Sequence, residues 1–168
     1  MFQKGELIVY GNAGVCEVLD VTSPEMKGVK KGTLYYVLQP CHHKGEKIFT
    51  PVDNEKTPMR KILSRHEAEE LIEDMPEIDA LWIENDKMRE ARYKECIRSC
   101  DCREWVRMIK SLYMRKMRRL KVGKPITVTD EKYLKQAEDR LYSELSLLFD
   151  IPQSDVERYI IERIENKC

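Results

Sequence analysis

The sequence has no long apolar run, no glycine-rich phosphate loop and no HExxH pair. No segment approaches the ~20 apolar residues of a membrane-spanning helix. The opening MFQKGELIVYGNAG lacks the layout of a signal peptide, so a cytoplasmic protein is expected. Histidine is scarce: two of the three stand together in CHH at 41–43, and the third is His66. Carboxylates abound in EAEELIEDMPEID, but nothing marks one of them as a tuned acid or base, and such runs are usually solvated faces. The residues point away from an enzyme. Net charge is absent too, with 30 Lys plus Arg against 30 Asp plus Glu.

Cysteine is present without the spacing of a metal site. Six occur, at 16, 41, 96, 100, 102 and 168, and three crowd into CIRSCDC. Zinc sites draw on paired, regularly spaced ligands, which a crowded trio far from CHH does not supply. In a reducing compartment these are expected to be free thiols, with no metal or other cofactor.

What the chain does have is two halves with different periods. In the first 62 residues, ELIVY, VCEVLDVTS, TLYYVLQP and EKIFTPV are short β-branched or aromatic runs punctuated by Gly and Pro. That is the pattern of a small antiparallel sheet, expected to curl into a barrel to remove its edges. After Pro58 the period becomes helical. Ser64 and Glu67 stand at capping-box spacing ahead of a face of Ala68, Leu71, Ile72 and Met75, and Pro76 ends that helix.

A second helix is predicted over about 79–98 and a third over about 102–121, the third with Val106, Ile109, Tyr113, Met117 and Leu120 on one face and Trp105 in the core. Thr129 should cap a fourth helix, with its stripe of Leu134, Ala137, Leu141, Leu145 and Leu148. Pro152 opens the last, packed through Val156, Tyr159, Ile160 and Ile164. The expected fold is α+β: a Tudor- or SH3-like β domain over 1–62, then an all-α bundle of about five helices over 63–168.

Neutrality hides a segregation of charge. Residues 63–86 carry a net −8, and residues 87–124 a net +10. Within the latter, YMRKMRRLKVGK holds six basic side chains and no acid. Arg107, Lys110, Arg118 and Lys121 share one helical face, flanked by Arg115, Lys116 and Arg119. Like charges three and four residues apart repel, and phosphates would offset that repulsion. Solvated faces paired with the acidic helices are the bland alternative. Trp82, spaced by four from Asp86 and by seven from Arg89, is either core or an exposed ring that wedges against bases.

The stretch FQKGELIVYGNAGVCEV resembles the opening of CarD-family bacterial transcription regulators. RSCD before a helix, LYMRKMRRL at its end, and TVTDEKYLKQAEDRLYSELSLLF resemble the second half of that family, in the expected order. The resemblance implies a barrel that binds the β subunit of RNA polymerase, and a helical domain that contacts promoter DNA at the upstream edge of the transcription bubble. It implies a modulator of open-complex stability, with a Trp wedged into the minor groove, rather than a catalyst. Registered on RSCD, the family's wedge position falls on Asp86, and Trp82 lies four residues earlier.

The candidate DNA contacts are Trp82, Arg89, Arg92, Lys110, Arg115, Arg118, Arg119, Lys124 and Lys132. The candidate polymerase contacts are the edge strand Glu46, Lys47, Ile48, Phe49 and Thr50, with Met26 as neighbour. A monomer is expected. The competing reading is a free nucleic-acid-binding module, RNA- or ribosome-associated, on an SH3-like barrel.

Overall fold

The structure, a computed structural model, describes residues 1–11, 13–23, 32–43 and 45–166. Met26 lies outside the described residues. The chain divides into two compact units, 1–62 and 63–168.

The first unit is an antiparallel sheet of β1 (Leu7–Tyr10), β2 (Gly14–Thr22), β3 (Tyr35–Pro40), β4 (Ile48–Pro51) and β5 (Met59–Lys61), in the order β4-β3-β2-β1-β5. β1 turns tightly into β2, where Gly14 takes φ 74, a left-handed conformation that favours glycine. The β2–β3 register shifts between Val18 and Asp20, a bulge that bends the longest strand. Ile8, Cys16, Val18, Tyr36 and Leu38 form the core, and the Phe2 ring packs tilted against Tyr36 with ring centroids 5.7 Å apart.

The expected barrel does not close: β4 and β5 are the two edges of an open sheet. The sequence explains this. Pro51 ends β4 and Pro58 precedes β5, so neither position offers an N–H to a closing ladder. β5 is also only three residues long.

The second unit holds α1 (Arg65–Asp74), α2 (Arg89–Arg98), α3 (Cys102–Lys121), α4 (Val128–Phe149) and α5 (Val156–Glu165). Ser64 and Glu67 form the expected capping box of α1, and Ala68, Leu71, Ile72 and Met75 are buried. Leu134, Ala137, Leu141 and Leu145 of α4 are buried, as are Val156 and Ile160 of α5 and Trp105 of α3.

Three details differ from expectation. α2 starts ten residues later than predicted, because Asn85 caps a 3-10 turn at Asp86–Met88 and residues 78–85 are not helical. Thr127, not Thr129, caps α4; its side chain accepts the Asp130 N–H. α3 buries Cys102, Trp105, Val106, Met108 and Leu112, whereas Tyr113 and Leu120 are half exposed. The last turns of α3 carry their apolar residues beyond the packed core.

Candidate functional site

In the first unit the open edge is β4. The Val52 N–H donates to the Leu34 carbonyl at 3.0 Å, and the β3–β4 register continues from that pair to Tyr36–Thr50 and Leu38–Ile48. Hydrogen-bonded and non-hydrogen-bonded pairs alternate in antiparallel sheets. The N–H and C=O of Phe49 therefore turn away from β3, toward the free edge. Ile48 packs against the sheet core, and Thr50 is buried, accepting from Asn54 Nδ2 at 2.9 Å. The Phe49 ring is 43 % exposed, and Glu46 and Lys47 are exposed just before the strand. The opposite edge, β5, is short, and its Lys61 lies 3.8 Å from Glu6. Short, charged edges resist added strands, and of the two edges β4 is the longer by one residue.

In the second unit Trp82 is not on a helix. Residues 78–85 form a strap laid along α3. The Leu81 N–H donates to the Arg107 carbonyl (3.3 Å), Arg107 Nε donates to the Asp79 carbonyl (3.3 Å), and Lys110 Nζ donates to the carbonyl of Ile78. Side chains alternate along an extended segment. Leu81 enters the core with Tyr93, Met108 and Leu112, Ile83 packs beside it, and Trp82 between them points out, 84 % exposed. With Met88, Ala91, Arg92 and Glu95 it lines a recess of about 270 Å³.

The basic residues divide into two groups. Asp130, 1 % exposed, is held by Arg89 and by Arg115 Nε at 3.0 Å. Arg89 also lies over the Tyr93 ring, 5.6 Å from its centroid. Arg92 and Arg107 share Glu104, at 3.3 and 2.9 Å. Burial works against ionising Glu104, but hydrogen bonds from Arg107 and Cys96, with the charges of Arg107 and Arg92, outweigh it and hold the carboxyl below its usual range. Arg119 Nε caps the Pro125 carbonyl at 2.8 Å, and Lys132 Nζ sits 5.3 Å from the Tyr133 ring centroid.

Arg118, Lys121 and Lys124, by contrast, are exposed and make no ion pair among the described residues. Of the sequence candidates, Arg89, Arg92, Lys110, Arg115 and Arg119 thus have structural partners, while Trp82, Arg118, Lys124 and Lys132 are exposed. Leu81 and Asp130 were missed as positioning residues. The alternation Leu81-Trp82-Ile83, between Pro76 and the Asn85 cap, was the available signal for the strap.

The crowded cysteines are buried. Cys96 Sγ donates to Glu104 and Cys102 Sγ to Glu144, which also accepts the Leu63 N–H at 2.9 Å. Burial pushes the Cys96 thiol up to about 12. Among the described residues no three His, Cys, Asp or Glu side chains converge on a metal position.

Residues 2–63 match the family model of the CarD-like/TRCF RID domain. The N-terminal unit belongs to that family. A search of curated proteins found no match to the chain. RID domains are non-enzymatic RNA-polymerase-interacting domains, so polymerase binding and a role in transcription belong to residues 2–63 of this protein. The matched span contains the whole sheet, including both edges. No described helix is long and apolar enough to cross a membrane.

Proposed function

We propose that this protein is a bacterial, cytoplasmic transcription regulator that docks on the β subunit of RNA polymerase through its RID and contacts promoter DNA through its helical unit. It acts as a monomer near the upstream edge of the bubble and alters open-complex stability by binding rather than by catalysis. The observation that carries this reading is Trp82: a large aromatic ring, almost fully exposed, on a strap pinned at Asp79, Leu81 and Ile78. A strap held in that way presents the indole at a fixed point of the surface, where it can wedge between bases, and unstacking is least costly at a duplex edge already opening.

Arg118, Lys121 and Lys124, which make no ion pair among the described residues, are cations available to phosphates. A few such contacts suffice for a tethered binder, because polymerase docking makes the second contact intramolecular. Chain neutrality is therefore compatible with DNA contact.

The test is open-complex lifetime at a promoter, measured with purified polymerase. Trp82→Ala should remove the effect of the protein on lifetime while leaving polymerase binding intact. Joint replacement of Arg118, Lys121 and Lys124 by Glu should lower the salt slope of DNA binding by about 0.9 for each lost duplex contact. RNA-dependent association, with no effect on polymerase, would favour the free nucleic-acid module instead.

A further inference from the structure

A second feature of the helical unit lies outside both proposed interfaces. Between α3, α4 and α5, with Met75 and Pro76 also in its lining, runs a groove of about 480 Å³. Val106, Ile109, Leu141 and Ile160 give it an apolar floor, and Tyr113 and Ile161 at its lip are about half exposed. A volume of ~300–1,000 Å³, mostly apolar with a few polar groups, is typical of small-molecule sites. An amphipathic helix would instead need anchors spread over successive turns.

The polar groups in this groove are of one kind. Glu138 and Tyr142, half-buried, line it from α4, and Glu157, exposed, lines it from α5. None of the three makes a hydrogen bond or ion pair among the described residues. Burial, then the charges of Glu157 and Asp139, push the Glu138 carboxyl above its usual range, against the pull of Lys116. Burial, Glu138 and Glu157 likewise raise the Tyr142 hydroxyl. Lys110, the only cationic residue in the lining, is occupied with the carbonyls of Ile78 and Pro76. Two carboxylates share this groove over an apolar floor, Glu157 acting on Glu138 through its charge, and the rings of Tyr113 and Tyr142 line it with them; aromatic rings attract cations.

We propose that this groove binds a small organic ammonium with an apolar or aromatic body. The ammonium sits between Glu138 and Glu157, relieving their repulsion, and the body covers Val106, Ile109 and Leu141. Such a site would let a cationic effector act on the helical unit without touching Trp82 or the RID.

The probe is tryptamine, titrated into the full chain and followed by methyl NMR of Ile160, Ile161 and Ile164. 3-Ethylindole, which lacks the amine, and indole-3-propionate, which reverses the charge, are the comparisons. The expected result is saturable one-to-one shifts with tryptamine, at least tenfold tighter than with 3-ethylindole, and none with the acid. Glu138→Gln and Glu157→Gln should abolish that tenfold preference while leaving 3-ethylindole binding unchanged. Both are near-isosteric, and a raised melting temperature in either, without ligand, would support the crowding of the two carboxylates. Equal binding of tryptamine and 3-ethylindole would overturn the proposal. So would the absence of shifts with every probe, or shifts that follow protein concentration alone, which would mean that a second copy covers the groove.

Discussion

The Leu81 N–H donates to the carbonyl of Arg107, and this one bond ties the strap carrying Trp82 to the middle of α3. α3 already uses its carbonyls within the helix, so this acceptor is shared, and side-chain donors from Arg107 and Lys110 reinforce the join. The consequence is a division of labour between neighbours: Leu81 anchors and Trp82 is displayed. Trp82→Ala should shift stability by no more than about 0.5 kcal/mol, as for other surface sites. Leu81→Ala should cost ~2–5 kcal/mol. Thermal and urea unfolding of the two variants measures the contrast, and a large loss at Trp82 would place its ring in the core and end the wedge.

Asp130 gives the second prediction. It is buried beneath two guanidinium groups; replacing Arg115 by Glu removes one of them and sets a second carboxylate beside a buried one, and breaking a buried pair already costs ~3–5 kcal/mol. Arg115→Glu should therefore unfold the helical unit or lower its melting temperature strongly. Arg118→Glu, at an exposed position, should leave it unchanged. Circular dichroism melts separate these outcomes. If Arg115→Glu melts like the parent, Arg115 is not structural and returns to the list of phosphate contacts.

These two cases show what was legible in the sequence. Helix identities and most buried stripes followed from period and caps, since Ser64, Pro76 and Pro152 act locally. The start of α2 was misplaced, because Asn85 caps a 3-10 turn inside a stretch whose composition is also compatible with helix, and the three-residue alternation there is a weak signal. Nor could the sequence divide the basic residues, because the charge on Arg115 is offset by an acid fifteen positions away on another helix. Barrel closure was misjudged for the opposite reason: the two prolines that prevent it were in plain view, but their effect depends on which strands become neighbours.

Cys96 supplies a prediction in pH. Its thiol is pushed up from 9.0 to about 12, chiefly by burial, and Tyr133 is raised from 10.0 to about 12 by burial and its hydrogen bond to Glu90. Both acids hold their protons more tightly folded than unfolded, so stability is lost as pH rises from about 9 toward 12. Cys96→Ala should reduce that alkaline loss. At neutral pH Cys96 should resist iodoacetamide in the native protein while Cys41, partly exposed, reacts. Mass spectrometry of the modified peptides decides it, and rapid native labelling at Cys96 would mean that its environment opens.

The last prediction concerns the free edge of the RID. Strand addition needs outward main-chain groups, and along β4 the register assigns them to Phe49, while Ile48 and Thr50 bond inward to β3. Proline distinguishes the two classes, because it deletes one donor. Phe49→Pro removes an outward N–H and should leave the sheet folded but weaken polymerase binding by about fivefold to tenfold, the worth of one hydrogen bond with some loss of fit. Thr50→Pro removes a ladder bond and a buried side chain, and should unfold the RID. Phe49→Asp tests the ring separately from the backbone, since the N–H survives. Binding measured by biolayer interferometry on purified polymerase, with circular dichroism as the folding control, gives both numbers. If Phe49→Pro and Phe49→Asp fold and bind like the parent, β4 is not the docking edge, and β5 becomes the strand to examine despite its charge and length.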